Sequence, residues 1–493
     1  MHDFWWFEAY RAFLYASELD PEAAMPYWGM YLASENMANL TKDQRTEVLD
    51  KAVESMKSLR DSASVREQYY LDAIIALHEN EDDQGIANHN RIMLALLNEY
   101  PDDIEARLFL WTRLKGGFDA EGKPKDEQLY AQLLLESEFA EHGDHQGLLH
   151  YWIHNQEPGA HPASALDAAE KLAELAPNSG HIVHMPGHIH YLMGNYTQAH
   201  VQFRKAEEAD ARYMETYDIE AIFTWNYLHN YSFMMSNLAE AGRYTEGLQY
   251  SAKLASLTEA SSFKHLPGFE MLLGRAIMEQ AYMAMRLEQF ELAAVLLSDP
   301  RWDSWEKSNG LAAMQAAYHA YSAGMAAVQK EDLESAERYS RKLDSILWRA
   351  ERDEAKLRYR KKPLEIAALE LQGMVASASG DMQQGIELLE RAVALEAEIE
   401  YGEPRSNIHP AAESLAVVRM EDGDFKGARE AYESVLKQRP NAGMPLYGIA
   451  RSYALEGDRK SARKAYEAFL AAWPLADQNL VQMTTASDWL GQH

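Results

Sequence analysis

A unit of 34 residues recurs near the C-terminus, and it leaves this chain little choice of fold. GDFKGAREAYESVLKQRP begins at Gly423 and GDRKSARKAYEAFLAAWP begins at Gly457. Each copy has a Gly, a bulky residue two later, an Ala, an aromatic, an apolar residue and a closing Pro. Glycine suits the left-handed turn that ends one helix, because it has no Cβ. Ala428 and Ala462 are small where two helices must cross closely. Tyr432 and Tyr466 fill the gap between helices, and Pro440 and Pro474 stop the second helix of each pair. A unit this short cannot bury its own apolar face. It must stack on neighbours.

The same pattern runs backwards along the chain with decay. It starts from Gly194 in GNYTQAHVQFRKAEEA, from Gly242 in GRYTEGLQYSAKLASL and from Gly380 in GDMQQGIELLERAVAL. Units close at Pro21 and Pro177, and weaker copies surround Phe290, Ala336 and Pro101. About ten units result, some with insertions. Apolar spacing is helical throughout, and no stretch alternates with period two. The expectation is an all-α chain of antiparallel helix pairs, wound as a right-handed superhelix over 1–493. Its histidine-rich central repeats span 145–260 and its regular repeats 364–475. The expected loops are Lys115–Asp126, Thr258–Pro267, Asp299–Gly310 and Tyr401–Pro410.

Charge and composition narrow the partners. Lys plus Arg is 47 and Asp plus Glu is 77, a formal net charge of -30. That field repels phosphate, so nucleic acid and anionic membranes are excluded as expected partners. There are no cysteines, which removes disulfides, thiolate metal sites and a cysteine nucleophile, and leaves the redox compartment unread. No apolar run approaches ~18 residues, so no membrane insertion is expected. The opening MHDFWWFEAY lacks the layout of a signal peptide and begins partway through a repeat. The compartment expected is cytoplasmic, or periplasmic if a leader precedes this segment. No GxSxG, Walker, dinucleotide or HExxH signature is present.

Two histidine pairs stand out against this scaffold. His150 and His154 lie in LLHYWIHNQE, and His184 and His188 lie in HIVHMPGHIH. Each pair is spaced i, i+4, which puts both rings on one helix face.

These residues carry a resemblance. The C-terminal units look like ordinary tetratricopeptide repeats. The central block resembles a subgroup of bacterial tetratricopeptide-repeat proteins, mostly of unassigned function. That subgroup carries HYxIHxxE, HMPxHI with a GxY turn, and HNxHF. Here they read HYWIHNQE (150–157), HMPGHIHYLMGNY (184–196) and HNYSFM (229–234), and DPEAAMPYWGMYLA (20–33) is similar as well. Ser232 stands where the subgroup has a further histidine, and Trp6 where an N-terminal histidine is common. In the repeat register, with Gly194 at position 15, Gly187 falls at 8, where a small residue is expected. His181, His184 and His188 fall at 2, 5 and 9, His150 and His154 at 5 and 9, His229 at 2 and Ser232 at 5. The resemblance implies that these positions line a concave groove.

The site expected from this is a divalent transition metal (Zn, Fe, Cu or Ni) held by His150, His154, His184 and His188. Neutral imidazoles suit those ions, and a carboxylate-poor set disfavours Mg and Ca. Glu157, His181, Tyr191, His229 and Ser232 complete the expected ligand-binding set, with Glu157 and His229 as further ligands or their supports. Equivalent helices pack ~8–10 Å apart, so the cluster should fit one ~15 Å region. Pro186 lies inside the second histidine segment and is expected to kink it. His142, His145, His161, His200, His409 and Glu413 are read as background. Three functions stay open. One is a repeat scaffold whose groove takes a peptide, protein or small molecule. The second is a histidine-ligated metalloenzyme, an oxidoreductase or hydrolase, on the same scaffold. The third is a purely structural assembly subunit.

Overall fold

The computed structural model describes residues 1–80, 83–114, 116–119, 122–305, 307–352, 361–399, 401–405 and 408–493. Among them the regular structure is helical, apart from one isolated β-bridge between Phe118 and Pro124. Successive helices pair through short turns, which forces them antiparallel. In the C-terminal repeats the pairs are Lys361–Ala378 with Met382–Ala397, Ala411–Glu421 with Phe425–Gln438, and Gly443–Glu456 with Arg459–Ala472.

The turns explain why these sequences fold this way. Gly423 and Gly457 have φ of 84° and 91°, the left-handed conformation the pattern requires. The residue after each is an aspartate that caps the next helix. Asp424 accepts the Gly427 N–H at 2.8 Å, and Asp458 accepts the Ser461 N–H at 3.0 Å. Such caps contribute ~1 kcal/mol each. In the decayed copies the turn survives without glycine: Glu288 and Glu331 hold φ of 56° and 58°. The small positions then let helices meet. Ala428 and Ala462 are fully buried, and a Cβ on Gly448 would lie 2.2 Å from the Tyr432 ring.

The chain divides into two compact units. The first comprises Met1–Ile189, Val201–Asn230 and Ser261–Phe269, and the second His190–His200, Tyr231–Ala260 and Glu270–His493. The first is built on a core of Trp28, Met56, Leu71, Ile74, Met93 and Leu96, with a second cluster at Leu108, Trp111, Leu135 and Tyr151. The second has Leu389, Val418, Ala428 and Tyr432 at its centre. It also contains a buried charge network. The Arg286 guanidinium donates to both oxygens of Glu240 (2.9 and 3.0 Å) and both of Glu413 (2.9 and 3.0 Å). Of the expected loops, Thr258–Pro267 is shorter, because helix Tyr244–Ala260 runs on and the next begins at Pro267. Residues 115, 120–121, 306 and 406–407 of the other loops lie outside the described residues.

Replacing Gly457 by Ala isolates the turn, since a Cβ there meets nothing within 4 Å. The cost is conformational alone. The expected loss is about 1 kcal/mol of unfolding free energy in chemical denaturation.

Candidate functional site

The first histidine helix is Gln146–Gln156 and the second is Gly180–Leu192. His145 caps the first: it is extended, and its Nδ1 accepts the Leu148 N–H at 3.4 Å. The second runs unbroken through Pro186, so the expected kink does not end it. Its approach to the following helix depends on Gly187, whose Cβ would lie 2.4 Å from the Phe203 ring. That is the small residue the register asks for at position 8.

These helices bring His150, His154, His181, His184 and His188 into one continuous cluster, joined by His229. Ring centroids lie 5.0 Å apart for His150–His181, 5.6 Å for His181–His184 and 5.0 Å for His184–His229. His154 and His188 are 6.1 Å apart. His150, His184 and His188 are completely buried and His181 almost so. The sequence register implied an open groove. Here Phe4 covers the cluster instead, with its ring 4.6 Å from His150, 5.4 Å from His154 and 5.9 Å from His181. Phe4 holds φ of 52°, a conformation that costs about 1–2 kcal/mol for a side-chain-bearing residue. The Trp225 indole N–H pins it by donating to the Phe4 carbonyl at 2.6 Å.

The hydrogen bonds fix the protons. His150 Nδ1 faces the His2 carbonyl at 2.5 Å, and His184 Nδ1 faces Asn230 Oδ1 at 2.8 Å. Glu157 takes two rings at once: Oε2 lies 3.2 Å from His154 Nδ1 and Oε1 lies 2.5 Å from His188 Nδ1. All four partners are acceptors. The Asn230 amide is oriented by its own Nδ2, which donates to the Phe203 carbonyl at 2.9 Å. Each Nδ1 therefore carries a proton and donates, which leaves the Nε2 atoms to meet one another.

Those Nε2 atoms converge. His150 Nε2 and His154 Nε2 are 3.0 Å apart, and the Nε2 atoms of His184 and His188 are likewise in contact. Two nitrogens at that distance need a cation between them, either a proton held by one ring or a metal ion. Burial, followed by the neighbouring His154, pushes His150 well below the ordinary histidine range. Burial and the surrounding rings do the same to His181. Imidazoles whose Nδ1–H is anchored by an oxygen acceptor while Nε2 points inward have the arrangement of metal ligands held by their supports. Two sets of three have ligand atoms within 4.8 Å of one another, namely His150, His154, His181 and His181, His184, His229.

Tyr191 and Ser232 belong to the second unit. Ser232 Oγ donates to Glu279 Oε1 at 2.7 Å. Tyr191 lines a cavity of about 270 Å³ with Glu240, Arg286 and Arg439. Two background histidines are not background. His200 is buried with Nε2 2.9 Å from Glu246, and His409 is buried with Nδ1 2.7 Å from Glu370. Sequence reasoning missed His2, Phe4, Trp225 and Asn230. Only Asn230 left a signal, as the second letter of the HN motif.

Comparison with known proteins agrees with the repeat pattern. A tetratricopeptide-repeat family model matches residues 414–442 and 446–476. The chain is thus an all-α protein that carries tetratricopeptide repeats. No curated protein matches the chain. Among solved structures it is similar to yeast Tom70, with 12% identity, TM-score 0.35, and 91% of this chain and 93% of that one covered. It is similar also to the human IFIT1 dimer with m7Gppp-AAAA (12%, TM-score 0.34, 91% and 90%) and to the APC/C hetero-tetramer Cut9–Hcn1 (13%, TM-score 0.28, 90% and 98%). Among the described residues no helix is long and apolar enough to cross a membrane.

Gly187→Ala tests the packing under the second pair. The added methyl must displace the Phe203 ring, and the expected loss is about 1–3 kcal/mol in thermal or chemical denaturation.

Proposed function

We propose that this protein is a tetratricopeptide-repeat scaffold for a protein or small-molecule partner, and that its first unit holds a divalent transition metal. The metal-binding residues are His150, His154, His184 and His188, with His181 and His229 completing the nitrogen donors. One observation carries this reading. Four imidazoles, three of them fully buried, have Nδ1 anchored on acceptors and Nε2 turned towards one another, beside a fifth, His181, whose two nitrogens have no hydrogen-bond partner. A structural network would satisfy the two His181 nitrogens, because an unpaired buried polar group costs about 1–3 kcal/mol. Glu157 and Asn230 act as supports that set ring orientation and tautomer. The donors are nitrogen, which favours Zn, Fe, Cu or Ni over Mg or Ca. Three protein ligands would leave a position free for water or a substrate, which is the opening for a metalloenzyme.

Elemental analysis of protein purified without an affinity tag tests it. The wild type is expected to retain Zn, Cu, Ni or Fe, or to bind one of them at micromolar concentration. In the His184→Ala/His188→Ala variant the metal content falls to half of wild type or less, with the helical circular dichroism intact. Glu157→Gln lowers affinity on the order of 10–100-fold, because the amide cannot accept from both rings. A wild type that binds none of the four ions under these conditions, Fe being offered anaerobically, ends the metal reading and leaves the scaffold. The net charge of -30 supports a second expectation. Fluorescence anisotropy at physiological salt registers no complex with DNA or RNA, and a tight, salt-sensitive one would contradict it.

A further inference from the structure

His181 stands apart from the other five histidines. It is fully enclosed, at 1% exposure, and neither Nδ1 nor Nε2 has a hydrogen-bond partner. A neutral imidazole always keeps one N–H. At this position that donor has no acceptor, whichever tautomer the ring adopts. Protonation would add a second unmet donor and a buried charge. No protonation state of the ring alone satisfies the position.

The surroundings supply what the ring lacks. His150 and His154 bring their converging Nε2 atoms to one side of the cluster, and with His181 they form a set of three. His184 and His229 form a second set of three with the same ring. His188 adds its Nε2 against that of His184, and its ring lies 5.5 Å from His229. His181 is the member common to both sets. Ligands on one ion at ~2.0–2.1 Å lie within about 4.2 Å of each other. That suits three or four of these nitrogens around an ion and makes six around one a poor fit.

We infer that the cluster is a two-metal centre in which His181 bridges, one ring nitrogen to each ion, with His150 and His154 holding one and His184, His188 and His229 the other. This rests on the metal reading above. Its chemistry balances simply. Each ion accepts one lone pair from His181. Binding of the second ion displaces the remaining ring N–H proton to solvent and leaves an imidazolate. No electron is transferred. The bridging ring then has no unmet donor, which removes the anomaly that singles it out.

Metal titration of the untagged, chelator-stripped full chain separates the outcomes, with Zn(II) counted by elemental analysis and Cu(II) read by electron paramagnetic resonance. The expected result is two equivalents of Zn(II) per chain. At two equivalents of Cu(II), the signal should be weaker than at one, because an imidazolate bridge couples the two spins. His181→Ala should lose that coupling and at least one equivalent. One equivalent in the wild type overturns the two-metal centre and leaves the metal reading standing. Two equivalents with additive signals overturn the bridge. A His181→Ala chain that keeps two coupled equivalents overturns it as well. No binding overturns both readings. The wild-type titration decides even if the variant fails to fold.

Discussion

One carboxylate holds the histidine cluster in register. Glu157 follows directly on the first histidine helix and accepts from His154 of its own repeat and from His188 of the next. Two helices that need only pack apolar faces can slide by a fraction of a turn at little cost. A buried carboxylate shared between two rings removes that freedom, because losing either contact leaves charge unmet in a low-dielectric interior. It also decides the protons. With Nδ1–H committed to Glu157, both rings turn Nε2 into the cluster. His150 and His184 are committed the same way by a backbone carbonyl and an amide oxygen. The inward face of the cluster is therefore made of ring nitrogens, and everything proposed for it follows from that.

The second unit shows what the alternative looks like. His409 is as buried as the cluster histidines. Burial alone would lower its pKa, but Glu370, Glu288 and Glu413 raise it to about 10, so the ring is an imidazolium held by carboxylates. Glu370 in turn accepts from Ser414 at 2.6 Å and Tyr321 at 2.9 Å. Arg286 fills its donors on Glu240 and Glu413. Charge is matched by opposite charge, and removing Arg286 would leave two buried carboxylates exposed to each other's field. In the histidine cluster of the first unit, Glu157 is the carboxylate that accepts from the rings, and it serves two of them. The same fold handles buried polar groups in two ways.

The repeats were legible because helix pairing imposes a period. Gly423, Gly457, Ala428, Ala462, Tyr432 and Tyr466 each do what spacing alone required of them. So does Gly187, read at position 8 and packed on Phe203. The i, i+4 histidine pairs were legible for the same reason, since helix geometry fixes which side chains share a face. What spacing could not supply was anything that reaches the cluster from another segment. His2 lies 148 residues from His150 and Phe4 lies 221 residues from Trp225, and no periodicity links them. His200 and His409 were misjudged because burial of a lone histidine depends on tertiary partners, Glu246 and Glu370, that its neighbours in sequence do not announce.

Phe4 turns the difference between a groove and an enclosed site into a physical question. In the repeat register the histidine positions face outward from the helix pair and would be wet. Covering them with an aromatic ring excludes water, which strengthens every electrostatic interaction beneath it and makes unmet lone pairs more costly. The chain accepts left-handed backbone at a phenylalanine to do so. A cover that served only stability would be poorly chosen over His181, which it desolvates without giving either ring nitrogen a partner. Over a bound cation the same cover is favourable. In the proposed site the ring would shield metal–nitrogen bonds from competition by water, while His154 and His229 are the two cluster histidines left partly accessible.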